Sequence, residues 1–364
     1  MNSFSGSYQP NDVTILLKRL HAHQFVAVRE KETLIQSGAR HYSEMLSPES
    51  LPSPRYLALF RQACIANRRQ MARDCLVLAR VIAARRTTGI TLVSLARAGT
   101  PVGVILKHLL AKVFDRPAAH YSVSIIRDRG IDDVALQHIL AQGHTPESIV
   151  FIDGWTGKGV ISRELEKWIS QFNQRFGTRI DGGLYVLSDL AGTAACASSA
   201  DDYLIPSSIL NATVSGLISR SILNDAIGAG DFHGCYYYEQ FADDDQSGSF
   251  VAEVLAEALA LVGAEGLPNA APLDRRRASI VSRRCMRQLG RRHGISDPNL
   301  IKPGIGEATR VLLRRVPYLL ILREPGAPDV AHLRALAEEK QVPVVTDAAL
   351  PYQAVSLIRS AADA

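Results

Sequence analysis

Cysteine is scarce and scattered in this 364-residue chain: Cys64, Cys75, Cys196, Cys235 and Cys285 are all there are, and no two form a C-x-x-C pair. An odd, dispersed set argues against a disulfide framework and a structural zinc site, and makes the cytoplasm the expected compartment. Long apolar runs are missing as well. No uncharged apolar stretch of about 18 residues occurs, so no membrane partner is expected. The opening MNSFSGSYQPNDVT has no basic stretch leading into an apolar one, and no secretory signal is read there. Aromatic residues make up only 6% and charged residues 21%, against 47% apolar, an ordinary globular composition rather than a disordered or fibrous one. The length fits about two domains. No internal repeat or long low-complexity tract is present.

Charge is unevenly spread. Residues 275–364 hold 16 Lys+Arg against 8 Asp+Glu, while residues 1–274 carry a small acidic excess. The densest stretch, Arg275 to Arg315, has twelve basic residues against Asp297 and Glu307. A basic module on a mildly acidic body points to a polyanion partner; an arginine-rich solvated helix face is the competing reading. The division is drawn as a body over 1–262, a Gly/Ala/Pro-rich linker over 263–274 and the basic module over 275–364.

In the body, helical periodicity over 55–86 gives way to TLVSLA (91–96), read as a buried strand. Helices are expected over 101–113, 132–142 and 160–176, and further strands over 120–126, 148–153 and 182–189, with a short fifth at 203–206. Strands alternating with helices mean a parallel α/β sheet, whose ligands sit at the carboxyl ends of the strands.

The third strand and its loop, SIVFIDGWTGKGV, carry the sharpest signal. An acid ends an apolar strand, and a small-residue turn follows before a helix. Gly154, Gly157 and Gly159 let backbone approach a ligand, and N–H groups at a helix start suit a phosphate. Thr156 offers a hydroxyl and Lys158 a charge. Asp153 suits ribose hydroxyls or a Mg²⁺ ion. The spacing is neither G-x-x-x-x-G-K-[ST] nor G-x-G-x-x-G. A tight turn with no ligand is the bland alternative. The first strand ends in LARAGTPVG, where Ala96, Arg97, Ala98 and Gly99 form a second candidate anion loop. Arg127 and Arg129 flank the end of the second strand.

Segment 91–160 resembles a type I phosphoribosyltransferase. VFIDGWTGKG is similar to that family's ribose-phosphate motif, and LARAGTPVG to its pyrophosphate loop, especially the R-A-G form of uracil phosphoribosyltransferases. The resemblance implies Mg²⁺-dependent transfer from phosphoribosyl pyrophosphate or a related sugar phosphate. Asp153 would meet the ribose hydroxyls, Thr156 to Gly159 the 5′-phosphate and Ala96 to Gly99 the pyrophosphate. Arg127 and Arg129 would sit near a flexible loop. The usual pair of adjacent acids is reduced here to Asp153-Gly154. This reading requires the 156–159 turn to be open and Asp153 to face a ligand.

Over nearly its full length, the chain resembles a bacterial family found with tellurium-resistance genes. That family joins a divergent phosphoribosyltransferase domain to a C-terminal Pelota-like RNA-binding domain, and its members are also described as cysteine proteases of the StiP type. IDGWTGKG, IPSSILNATVSGLISRSIL (205–223) and GDFHGCYYYE (230–239) carry that resemblance. The C-terminal order helix, strand, helix, strand from residue 302 is similar to kink-turn RNA-binding folds. Their G-x-N-E-x-T-K motif is matched by Gly304 to Arg310, with Gly306 in place of the Asn. The resemblance implies RNA contact through Gly306, Glu307, Thr309, Arg310 and Arg314.

Three functional readings follow: the transferase, a nucleotide sensor acting through RNA without catalysis, and a cysteine protease. Asn211, Ser215, Ser219 and Arg220 have spacings that share a helix face, for an acceptor pocket or simply for solvation. His233 is a candidate general base or a structural histidine. Cys235, two residues on, is the thiol by which the protease reading is tested. The acceptor and the oligomeric state are left open by the sequence.

Overall fold

The computed structural model describes residues 4–21, 25–270 and 273–358; part of the expected linker and the last six residues of the basic module lie outside them. The N-terminal part contains strands β1 (Thr14–Leu16) and β2 (Lys18–Arg19) and helices α1 (Val28–Gln36) and α2 (Pro54–Arg85). Then follow β3 (Thr91–Ala96), α3 (Gly99–Phe114), β4 (Ala119–Ile126), β5 (Gly130–Ile131) and α4 (Asp133–Ala141). Next come β6 (Ile149–Thr156), α5 (Val160–Phe176), β7 (Leu184–Asp189), β8 (Cys196–Ser199), β9 (Gly234–Cys235) and α6 (Ser247–Glu265). The basic module holds α7 (Arg275–His293), β10 (Ile301–Pro303), α8 (Ile305–Arg314), β11 (Leu319–Leu322), α9 (Ala331–Glu339), β12 (Val344–Thr346) and β13 (Ala354–Leu357).

The body is built on a parallel sheet in the order β1-β4-β3-β6-β7-β8, with β5 antiparallel at the end of β4. Strands β3, β6 and β7 are almost wholly buried because both faces of the sheet are covered, as parallel sheets require. The strand order reverses between β3 and β6, so the carboxyl ends of these two strands form the crevice where such sheets bind ligands. Helix α2 begins where Ser53 accepts a hydrogen bond from the Tyr56 N–H at 3.2 Å, with Pro54 at its first position.

The basic module has its own sheet, β10-β13-β11-β12, with β13 antiparallel to both neighbours. Alternation splits β11 between two faces. Leu320 and Leu322 face α8 and α9, while Ile321 joins Cys285 and Leu289 of α7. One apolar core runs across the expected division: Ile152 and Tyr185 of the body share it with Ile305, Ala308 and Leu312 of the module.

Three elements differ from the sequence reading. The fifth strand is β8, not 203–206. Pro206 has no N–H for a ladder and opens a 3₁₀ turn over Pro206–Ser208. The segment 205–223 makes short 3₁₀ turns rather than one helix, so Asn211, Ser215, Ser219 and Arg220 share no helix face. Among the described residues, Glu239–Glu265 is long and apolar enough to cross a membrane. Within it, α6 buries Phe250, Val254, Ala258 and Leu261 in the body, and Glu253, Glu257 and Glu265 pair with Arg68 and Arg69 of α2.

Candidate functional site: a crevice between the two sheets

Strand β6 continues past Asp153 and keeps its register with β7 through Trp155↔Ser188 and Thr156↔Asp189. Gly154 and Thr156 therefore lie in the strand, and the turn is only Gly157 to Gly159. A crevice of about 170 Å³ opens at the switch point. The β3 loop gives it Ala96, Arg97 and Ala98; β6 gives Asp153 and Trp155. The segment after β8 adds Ser207, Ser208, Asn211, Arg220 and Ser221, and α8 closes it with Arg310 and Arg314. Beyond Asn211, Arg220 and Arg314 lies a larger cavity of about 480 Å³, walled by Leu51, Tyr56 and Leu336 among others.

The ionic pattern is specific. Asp153 is buried and accepts the Gly154 N–H at 2.8 Å. Burial pushes its carboxyl up to about 6, with the Arg310 guanidinium and the Gly154 N–H working against the shift. Arg310 reaches Glu307 at 3.2 Å and lies 4.3 Å over the Trp155 ring. Burial pushes Glu307 up, but Arg310, Lys302, Lys158 and Arg314 together outweigh it and hold the carboxyl below its usual range. Arg97 is fully engaged, with Glu49 at 2.7 Å, Asn211 Oδ1 at 2.8 Å and the Ile218 carbonyl at 2.9 Å. Arg220 donates only to the carbonyls of Tyr42 and Met45. Arg314, an exposed side chain of α8, lines both cavities, and no ion pair within 4 Å involves it among the described residues.

The expected phosphate cradle is taken up by the basic module. Thr156 Oγ1 accepts the Gly159 N–H at 3.0 Å. Lys158 Nζ donates to the Pro298 carbonyl at 2.7 Å and the Ile301 carbonyl at 3.2 Å, and burial lowers it to about 7. A Cβ on Gly157 would lie 2.8 Å from both Glu307 Cγ and the Pro303 oxygen. These small residues allow close approach, but what approaches is protein. Asp153, by contrast, does face the crevice. Mg²⁺ does not fit there. It requires several oxygen donors, yet Asp153 is a lone carboxylate among arginines. No cluster of three His, Cys, Asp or Glu is placed to hold a metal among the described residues.

Other expected residues fall outside the crevice. Arg127 lies beside Asp128 at 3.3 Å, and Arg129 pairs with Glu44. His233 pins β9 to β4: its Nδ1 meets Ser124 Oγ at 2.8 Å, and its N–H donates to Asp132 at 2.6 Å. Burial lowers its pKa. Of the expected RNA residues of α8, Thr309 is buried and Gly306, Glu307 and Arg310 are half-buried, while Arg314 is exposed. Gly306 packs so close to Trp155 that a Cβ would sit 2.4 Å from the ring. Thr309 is buried against the Ile305 carbonyl and His332. Most of the module's exposed cations lie on α7, whose buried face is Ser282, Cys285 and Leu289.

Four of the five thiols are buried, and Cys196 is half-buried. Burial pushes Cys64 and Cys235 up to about 12 and Cys285 up to about 11, and holds Cys75 well above its ordinary value. Cys235 thus belongs to the core and is not placed to act as an accessible nucleophile. Burial raises Cys196 too, opposed by Arg85 and Arg275. No thiol is hydrogen-bonded to an imidazole among the described residues.

The sequence reading also missed Glu49, which answers Arg97, and Asp202. Asp202 accepts the Ile305 N–H at 2.9 Å and the Gln353 N–H at 2.8 Å, tying the body to the start of α8 and to the residue before β13. Its only signal was the Asp201-Asp202 pair ahead of an apolar run.

Residues 6–255 match the family described as tellurite-like stress resistance cysteine protease StiP, and residues 280–360 match the PELOTA RNA binding domain. The protein named cysteine protease StiP from Acinetobacter baylyi is 42% identical over 369 residues, covering 98% of this chain and 94% of its own length. Among solved structures, an amino transferase from Eubacterium rectale covers 92% of this chain and 90% of its own, at 10% identity and a TM-score of 0.23, too slight a likeness to carry an argument. With one match spanning most of the body and a relative aligned over almost the whole sequence, the chain belongs to the StiP family of tellurite-like stress resistance cysteine proteases.

Proposed function

We propose that this chain is a cysteine peptidase of the StiP type. One observation carries the reading: the 42% identity, over 98% of the chain, with a protein named a cysteine protease. The chemistry needs a thiolate that attacks a peptide carbonyl and a proton carrier for the leaving amine. Reactive thiols lie in partly exposed, electropositive surroundings. Cys196, the first residue of β8, is the thiol closest to that description, with Arg85 and Arg275 favouring its ionised form. Among the described residues no hydrogen bond joins it to an activating base. Casein cleavage by the purified chain and its five single Cys→Ala variants tests the reading. Cys196→Ala should lose roughly 10³-fold in rate and the other four should stay active. Wild-type activity in all five variants would overturn it.

The Pelota-type match favours a second role, contact with RNA, and the exposed face of α7 is the surface for it. Arg276, Arg277, Arg283, Arg284, Arg287 and Arg291 are exposed and make no ion pair among the described residues, whereas Arg292 pairs with Asp347 at 2.6 Å. Binding through them is phosphate-led and salt-dependent. Changing Arg283 and Arg287 to Gln should lower the salt slope for an RNA hairpin by about two. An unchanged slope would remove α7 from the interface. Phosphoribosyl transfer, which the doubly wound strand order favours, has less to work with, since its turn is filled and its metal donors are missing.

A further inference from the structure

We infer that the crevice between the two sheets binds a phosphate-class oxyanion, orthophosphate or a small phosphate monoester, held by Ser207, Ser208, Ser221 and Arg220 of the body and Arg314 of the basic module. The inference does not rest on the peptidase reading.

Unspent hydrogen-bonding capacity is the first ground. The hydroxyls of Ser207, Ser208 and Ser221 are buried without a hydrogen-bond partner, and so is Arg220 Nη1. These residues are 8%, 5%, 7% and partly exposed, respectively, and all four line the same crevice. Buried polar atoms are rarely left unpaired, because each costs its full desolvation. Four on one small cavity indicate a missing acceptor.

Charge is the second ground. Two of the four arginines on the crevice are already answered, Arg97 by Glu49 and Arg310 by Glu307. Arg220 meets two carbonyls and the Tyr42 ring but no carboxylate within 4 Å, and Arg314 has no ion pair, among the described residues. Asp153 is the one acid lining the crevice. Burial lowers the pKa of Arg220; Tyr42 and Glu49 oppose that shift and Arg97 adds to it.

Size and donor number select the ligand. At about 30 Å³ per water, 170 Å³ holds roughly half a dozen waters, room for phosphate with a small substituent. A carboxylate has only two acceptor oxygens, whereas a phosphate monoester presents three strong ones in a tetrahedral arrangement. Three hydroxyls and two guanidinium groups arriving from opposite walls suit the tetrahedral ion. Because Arg314 belongs to α8 and the rest to residues 207–221, the ligand would also fasten the module to the body.

Calorimetric titration of the full chain in phosphate-free buffer tests this, with orthophosphate, glycerol phosphate and acetate as probes and Trp155 emission as a second readout. Orthophosphate or glycerol phosphate should bind at least tenfold more tightly than acetate. Arg314→Gln and the double change Ser207→Ala with Ser221→Ala should each weaken binding tenfold or more, while Arg61→Gln on the exposed side of α2 should leave it unchanged. Removing two hydroxyls is a mild change that keeps the test valid if Arg314→Gln folds poorly. Absence of binding by both phosphates, acetate binding as tightly, or weakening by Arg61→Gln without weakening by the crevice variants would each overturn the inference.

Discussion

Asp202→Ala should destabilise the chain, and the loss should grow as the solution is acidified. The carboxylate accepts two backbone N–H groups of the basic module, at Ile305 and Gln353. Each N–H left unpaired costs about 1–3 kcal/mol, so the variant forfeits roughly 2–6 kcal/mol of docking. Burial, opposed by those N–H groups, pushes the Asp202 carboxyl from 3.8 up to about 6. A group whose folded pKa is raised binds a proton in the native state before the unfolded chain does. Its contribution to stability therefore rises as the pH falls below about 6. Between pH 7 and pH 5 that gain is about 1 kcal/mol, which the wild type collects and Asp202→Ala does not. Urea unfolding followed by circular dichroism and tryptophan emission at both pH values gives the difference. A gap between wild type and variant that stays constant or narrows at pH 5 would refute the reasoning.

Two further outcomes follow from the same interface. Gly306→Ala should cost about 1–3 kcal/mol by overpacking and shift Trp155 emission, since its Cβ would fall 2.4 Å from the indole ring; a neutral result in urea melts would mean that α8 does not dock as described. His332, buried against Thr309, has its imidazole pulled down to about 3 by burial, so stability is lost as pH falls through 6.5 towards 3. At pH 5 this amounts to about 2 kcal/mol, and His332→Gln should unfold with correspondingly less acid dependence in pH-resolved melts.

Much of the body was legible because its signals are local. The apolar runs at 91–96 and 184–189 are buried on both faces, and the helix after Gly159 starts where the turn chemistry places it. Strand β1 escaped notice because three residues give no alternation to read. The site was legible only in outline. Asp153 and Arg97 do reach the crevice, but nothing in the neighbouring residues shows that Glu49, 48 positions away, answers Arg97. Periodicity gives α8 an apolar stripe of Ile305, Ala308 and Leu312, and leaves Glu307, Arg310 and Arg314 opposite as a solvent or RNA face. That polar face instead meets the 157–159 turn, Trp155 and the crevice, a contact made over some 150 residues of chain. Gly306, read as the loss of a base-reading Asn, has a steric reason once Trp155 is seen against it.

Reactive-thiol mapping bears most directly on the peptidase reading. The native full-length chain is treated with limiting iodoacetamide, and loss of casein cleavage is followed beside peptide mass spectrometry of the five cysteines. Cys196 should be alkylated first, in step with the loss of cleavage, while Cys64, Cys75, Cys235 and Cys285 stay protected until the fold opens. Full cleavage after complete modification of Cys196, or inactivation that tracks another cysteine, contradicts it.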